Sequence, residues 1–421
     1  MSKGNNDKEF SLQAVPKNHR IGFWNMMVVM LGFTFFSASM MGGGTIGNGL
    51  DFTQFLLVVM AGNLLLGLYT GALAYAASKT GLSTHLLTKY AFGEKGSYLA
   101  SFLLSITQIG WFGVGVAMFA LPVQKVTGID TYILIILAGI LMSSSAYFGM
   151  KSLAVISFIS VPLIVILGSF SVFKATQTVG GVDGILSYSP TESIGLAAAL
   201  SICIGSFISG GTLTADFTRF ARTKRSAVIS TVIAFFLGNS LMFLFGAVGA
   251  ISTGVADVSE VMFLQGLILP AIIVLGLNIW TTNDNALYAS GLGISNITKI
   301  KKSKVVIFNG ILGTVMALWL YNNFVGFLSF LNLTLPPIGA ILLADFFLLN
   351  RGKYKEFEKM TFKSVNWLAI IAWVIGVIGA KFIPGVPSIN AVIGSAGFYL
   401  IASVIQRKLA STMETETEEA V

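Results

Sequence analysis

Twelve hydrophobic runs, each long enough to cross a lipid bilayer, constrain this chain more than any other feature. They fall at about 24–49, 54–78, 98–124, 132–149, 152–173, 193–217, 227–251, 261–292, 304–321, 324–349, 365–383 and 388–406. About 20 helical residues cross a hydrocarbon core about 30 Å thick. With no water there, each segment must close its backbone hydrogen bonds internally, as an α-helix does. The expected fold class is an all-α membrane protein of twelve transmembrane helices. A soluble reading does not compete: 55% of the residues are hydrophobic and 10% charged, against about 25% charged in soluble domains.

The basic residues test that count independently. With the N-terminus in the cytoplasm, all of the 26 lysines and arginines except Lys125, Lys174 and Lys381 fall in inside segments. One helix more or less in mid-chain would destroy the asymmetry, so both termini are expected in the cytoplasm. The net charge of +8 is then an orientation signal and a lipid contact, with no nucleic-acid partner implied. One cysteine, Cys203, excludes an internal disulfide, and the two histidines, His19 and His85, form no metal-ligand pattern. Residues 1–20 are polar, lack the features of a signal peptide and are expected to form a cytoplasmic tail. Residues 409–421 hold four glutamates and are expected to be a disordered acidic tail.

Inside the eighth run lies Gly276-Leu-Asn-Ile-Trp-Thr-Thr-Asn-Asp-Asn285. Polar side chains surrounded by hydrocarbon mark function, and transporters bind substrates near the bilayer midplane. Asn278, Thr281, Thr282 and Asn285 are spaced i, i+3, i+4, i+7, which gathers four neutral oxygen-bearing groups on one helix face able to coordinate a small cation. Asp284 lies about 60° round the helix from Thr281, where it can serve the same cavity or a neighbouring helix. Helix-to-helix hydrogen bonding is the competing use of such residues, but six in ten positions exceed what packing needs.

Glycine-interrupted segments occur in the first run, from Gly32 to Thr45, and in the sixth, from Gly205 to Thr214. Close helix packing explains most membrane glycines. Interruptions in corresponding positions of two halves, however, point to inverted repeats with broken helices, and runs one and six are five apart. The expected layout is a core at 21–350 with repeats at about 21–175 and 190–350, followed by two additional helices at 364–408. In the third run Gln108 and Trp111 are i, i+3 neighbours, an amide beside a large flat ring, as a stacked and hydrogen-bonded planar heterocycle requires. Phe207, beside Ser206 and Ser209, offers an opposite ring, although a lone membrane phenylalanine is usually structural. No phosphate-binding Gly-x4-Gly-Lys-Ser/Thr loop occurs, and no nucleophile has a matched histidine, so the chain does not read as an enzyme. Nothing resembles a channel's selectivity filter.

The stretches Leu31–Met40, Gln108–Ala120, Gly205–Phe217 and Leu275–Gly291 resemble the bacterial cytosine permeases of the nucleobase:cation symporter family. The resemblance runs from about residue 20 to residue 408. It implies a LeuT-like five-plus-five inverted repeat in the bacterial inner membrane. It also implies a base held between Trp111 and Phe207, with Gln108 and polar groups around Ser206 reading its edge and Asn278 and Asp284 as further contacts. A sodium site of the Gly32 and Phe35 carbonyls with Asn278, Thr281 and Thr282 follows from the same resemblance. Sodium-coupled cytosine import without cofactor or obligatory protein partner is the implied function. Hydantoin carriers resemble the pattern with tryptophan where Phe207 stands. Proton coupling through Asp284, another planar base or hydantoin as substrate, and a substrate-gated channel or sensor are the alternatives.

Overall fold

The computed structural model describes residues 9–190 and 192–419, and the apolar runs are helices. In the first half, α1 (Phe23–Thr34) and α2 (Ser37–Gly49) share one run. They are followed by α3 (Phe52–Thr80), the short α4 (Thr84–Phe92), α5 (Gly96–Thr127), α6 (Thr131–Phe148) and α7 (Met150–Gln177). In the second half, α8 (Leu196–Gly205) and α9 (Ile208–Thr218) share the sixth run. A π-helical turn, Ala234–Asn239, joins α10 (Lys224–Ile233) to α11 (Ser240–Thr253). Next come α12 (Ile268–Thr298), α13 (Lys302–Val315), α14 (Ala317–Asn322), α15 (Phe324–Thr334) and α16 (Pro336–Leu343), the last continued by a π turn to Leu349. Finally α17 (Trp367–Phe382) and α18 (Pro387–Glu419) pack together against α16.

By length and apolarity, up to nine segments among the described residues qualify as spans when each bent pair counts once. Three more complete twelve: α12, with its polar centre, the α13–α14 pair, and the 16-residue α17. Helix ends follow local chemistry. Asp51 accepts from Gln54 N to start α3, and Asp130 accepts from Tyr132 N to start α6, satisfying first-turn donors. Gly81 and Gly128, with φ of 77° and 72°, close α3 and α5 in the left-handed region that glycine enters without strain.

Both expected breaks exist, with bends of 56° between α1 and α2 and 44° between α8 and α9. Their positions differ from the glycine clusters. The first falls at Phe35 and Phe36, both extended, and the second at Ser206 and Phe207. The glycines that follow the first break are helical and serve packing. A Cβ on Gly43 would collide with the Phe243 carbonyl, and one on Gly246 with the Met40 carbonyl, so α2 and α11 touch backbone to backbone. Being five spans apart, the two broken helices run in opposite directions, as an inverted repeat requires. Around them α12 lies along α5 and α7, and α3 along α10.

The tails depart from expectation. Residues 1–8 lie outside the described residues, but from Glu9 onward the N-terminal segment is packed, with Phe10 and Val15 buried. It crosses the face that carries both tails and most of the basic residues, hereafter the basic face. Arg219, fully buried, donates from Nη1 to the Phe10 carbonyl (2.7 Å) and from Nη2 to the Glu9 carbonyl (2.9 Å) and the Tyr288 hydroxyl (3.0 Å). Glu9 Oε2 accepts from Met150 N at the start of α7 (3.2 Å). Arg219 Nε donates to the Asp216 backbone carbonyl (3.1 Å), but the Asp216 carboxylate does not pair with the guanidinium. One of its oxygens accepts from Thr84 N (2.8 Å), and the other lies 3.4 Å from His85 Nε2. Asp345 is likewise not solvated: Tyr354, Tyr399 and Asn350 all donate to it. At the other end α18 runs to Glu419, so the acidic segment expected to be disordered carries helical backbone that far, consistent with the helix-favouring glutamates that follow an apolar helix.

Candidate functional site

The two breaks meet α5 and α12 at one small cavity. Gln108 and Trp111, one turn apart on α5, line it with Phe33 and Phe36 from the first break. Ser206, Phe207, Ser209 and Gly210 line it from the second, and Thr282, Asn283 and Ala286 from α12. The free volume is about 30 Å³, about the share of one water molecule. Aromatic edges fill the rest. Trp111 meets Phe36 and Phe327 edge-on, with centroids 5.3 and 5.7 Å apart. Phe207 meets Phe33 at 5.0 Å and Phe235 at 5.2 Å. Phe235 belongs to the π turn, a local irregularity that is frequent at functional sites.

Polarity is confined to a few groups. Gln108 is buried and its Nε2 has no acceptor among the described residues, although leaving such a donor unpaired costs about 1–3 kcal/mol. Because it faces the cavity, a ligand oxygen or ring nitrogen placed there would satisfy it. The Ser206 hydroxyl donates to the Cys203 carbonyl (2.8 Å), which leaves its oxygen able to accept. Thus Gln108, Trp111, Ser206 and Phe207, singled out from the sequence, come together in space.

Asn278 and Thr281 are not among the cavity's lining residues. They lie on α12 where it packs against α1. Ser37 Oγ, just past the first break, donates to Asn278 Oδ1 (3.0 Å). Thr281 donates to the Asn278 carbonyl (3.0 Å), whereas Thr282 donates to the Ile279 carbonyl (3.0 Å) and also lines the cavity. The last α-helical bond of α1 runs from Phe35 N to the Leu31 carbonyl (3.0 Å). Beyond it the Gly32, Phe33 and Thr34 carbonyls have lost their usual i+4 partners and carry the negative end of the helix dipole. The Phe35 ring packs separately, among Met40, Met242 and Phe245. Gly32 faces Ser157 of α7, whose hydroxyl occupies the space of a Cβ. All these donors are neutral oxygens at a helix interruption, the arrangement that holds sodium or protons in transporters with discontinuous helices.

Asp284 does not reach the cavity. It follows Thr282 by two residues, about 200° round the helix, and faces α6 beside Ser145. The Ser145 hydroxyl accepts from Trp280 Nε1 (2.9 Å), and neither carboxylate oxygen of Asp284 has a hydrogen bond of ordinary geometry. The expected base contact at Asp284 is therefore corrected by helical phase. Asn285 turns back to the Thr281 carbonyl (2.5 Å). In its place Asn283, given no role from sequence, lines the cavity while its Nδ2 donates to the Phe112 carbonyl (3.1 Å). Asn332 was also missed. Its Nδ2 lies 2.8 Å from where a Cβ on Gly205 would be, beside the second break, and its Oδ1 is buried without a partner. Its signal was present as the one amide in the apolar stretch 324–343.

Known proteins fit this geometry. The chain is 53% identical over 408 residues to the cytosine permease of Escherichia coli (strain K12), covering 97% of each. It is 21% identical to the hydantoin permease of Microbacterium maritypicum, over 89% of this chain and 84% of that protein. The fold matches that of Mhp1, a nucleobase-cation-symport-1 family transporter, in a closed conformation with bromovinylhydantoin bound. There the TM-score is 0.83 at 17% identity, covering 97% of this chain and 96% of that one. The family described as permease for cytosine/purines, uracil, thiamine, allantoin matches residues 14–401. A multi-pass, LeuT-like membrane protein with an aromatic cavity between its two broken helices, the chain belongs to that permease family.

Proposed function

We propose that this protein imports cytosine together with sodium by alternating access. The observation that carries the reading is the buried Gln108 Nε2, without an acceptor, beside Trp111 and Phe207 on one cavity. Stacking on an aromatic contributes about 1–3 kcal/mol per base but accepts any flat ring, so discrimination falls to Gln108, Ser206 and Asn283. The choice of cytosine leans on the 53% identity to a cytosine permease. A cavity of about 30 Å³ is smaller than a pyrimidine, so binding requires the Phe36 or Phe207 ring to swing aside.

Sodium is favoured by the neutral oxygens of Asn278, Thr281 and Thr282 facing the interrupted end of α1. A neutral base gains nothing from membrane voltage, whereas one co-transported cation adds about 2.3 kcal/mol per 100 mV, roughly fiftyfold accumulation. Coupling runs through Thr282, which belongs to both groups, and through the Ser37–Asn278 hydrogen bond, which ties the first break to α12. Proton coupling keeps one supporting observation, the carboxylate of Asp284 buried beside Ser145 in mid-helix.

Equilibrium binding of labelled cytosine to the purified protein tests the reading. Affinity should be higher in sodium than in choline, and uracil should compete poorly. Gln108→Leu should weaken binding by about 1–3 kcal/mol, roughly five- to 150-fold, and narrow the preference over uracil. Affinity equal in both salts, dependent on pH and altered by Asp284→Asn, would transfer coupling to Asp284.

A further inference from the structure

Away from the transport site, the basic face carries a second cavity of about 480 Å³, set between α4, the segment after α16, and the end of α18. Lys353, Lys355, Lys363 and Arg407 line it, and none of them forms a salt bridge among the described residues. A fifth cation, Lys89, is already paired with Glu94 (2.8 Å). The one carboxylate in the lining, Asp345, accepts from Tyr354 (2.5 Å), Tyr399 (2.8 Å) and Asn350 (3.1 Å). It lowers the positive potential but does not cancel it. The walls are built: Tyr90 stacks on Tyr354 with centroids 3.9 Å apart and planes 3° from parallel, and Tyr90 donates to the Lys355 carbonyl (2.7 Å). Lys79 Nζ holds the Gly352 carbonyl (2.5 Å).

Leu349 and Arg407 are shared with an adjoining groove of about 330 Å³, which adds Leu348, Val404, Arg351 and Lys408. Leu348 is 62% and Val404 44% exposed, on helices whose outer sides face lipid. A basic cavity thus adjoins a groove in which the aliphatic side chains of Leu348, Leu349 and Val404 alternate with basic ones. That combination fits a molecule with an anionic head and a hydrocarbon chain, and basic pockets between spanning helices hold such head groups.

We infer that this is a binding site for an anionic phospholipid, its phosphate among Lys353, Lys363 and Arg407 and an acyl chain along Leu348 and Val404. The same cations would also attract a free phosphate; the exposed aliphatic side chains of Leu348 and Val404 beside them favour the lipid.

The test uses the full-length protein in neutral detergent, given an equal mixture of phosphatidylglycerol and phosphatidylcholine, with retained lipid counted by native mass spectrometry. The wild-type protein should keep phosphatidylglycerol preferentially. The K353Q/K363Q/R407Q variant should keep less of it, by roughly fivefold per charge removed. The charge-preserving K353R/K363R/R407K variant should behave as wild type, which separates lost charge from lost folding. Unchanged retention in the glutamine variant, or equal loss in both variants, would overturn the assignment. Displacement of the lipid by an equal concentration of inorganic phosphate would overturn the lipid as occupant in favour of the free anion.

Discussion

Thr281 and Thr282 are neighbours with separate tasks, because one helical step of about 100° puts Thr282 on the cavity and leaves Thr281 outside its lining. A substitution at Thr281 should therefore touch the ion more than the base. Thr281→Val keeps the shape and removes the hydroxyl oxygen. Losing one interaction with a charged group costs about 1.5–3 kcal/mol, roughly ten- to 150-fold. The sodium concentration for half-maximal cytosine binding should rise by that order, while affinity at saturating sodium stays near wild type. A shift in base affinity with no shift in sodium dependence would remove Thr281 from the ion site. The residue scale is also where sequence reading was sharpest and where it slipped. Gln108 and Trp111 were legible because i, i+3 spacing fixes a shared face wherever the helix lies. Asp284 was misplaced because its phase, at the border of a polar stripe, does not say which neighbour it meets.

At the scale of elements, interruption and glycine content turn out to be different signals. Both broken helices were legible from their composition, but the breaks sit at Phe35–Phe36 and Ser206–Phe207. Each brings aromatic rings to the cavity, Phe33 and Phe36 at the first and Phe207 at the second. Glycines such as Gly43 instead bring α2 and α11 into backbone contact, which depends on a partner helix almost 200 residues away and cannot be read from either run alone. Gly246→Leu would drive a side chain into the Met40 carbonyl. Overpacking of this kind costs about 1–3 kcal/mol or more, so the detergent-solubilised variant should unfold at a temperature several degrees lower, and saturating cytosine should raise variant and wild type by a similar amount. Thermal unfolding identical to wild type would mean that α2 and α11 are not held so closely. The span α12 shows the converse case: its buried polar centre dilutes its apolarity, and its length, its place in the series and the lysine count supported it as a span.

At the scale of the whole molecule, the basic face is closed by the chain's own N-terminal segment. No periodicity announced this, because the contacts are made by backbone carbonyls of Glu9 and Phe10 to a buried arginine far along the chain. Arg219 joins the second broken helix to α12 through Tyr288, and Glu9 joins the same segment to α7. Arg219→Ala leaves the Glu9, Phe10 and Asp216 carbonyls and the Tyr288 hydroxyl without their charged donor. Hydrogen exchange should accordingly quicken in residues 9–20 and at the Tyr288 end of α12, and stay unchanged in α2 and α11. Exchange that rises everywhere equally would indicate general unfolding and contradict a local closure.

The central claim, sodium-driven movement of cytosine through this cavity, is tested most directly by uptake of labelled cytosine into proteoliposomes under an inward sodium gradient. The account predicts accumulation above the external concentration that collapses when potassium replaces sodium and resists excess uracil. Uptake that persists without sodium and follows an imposed proton gradient, or mere equilibration with no accumulation, would contradict it.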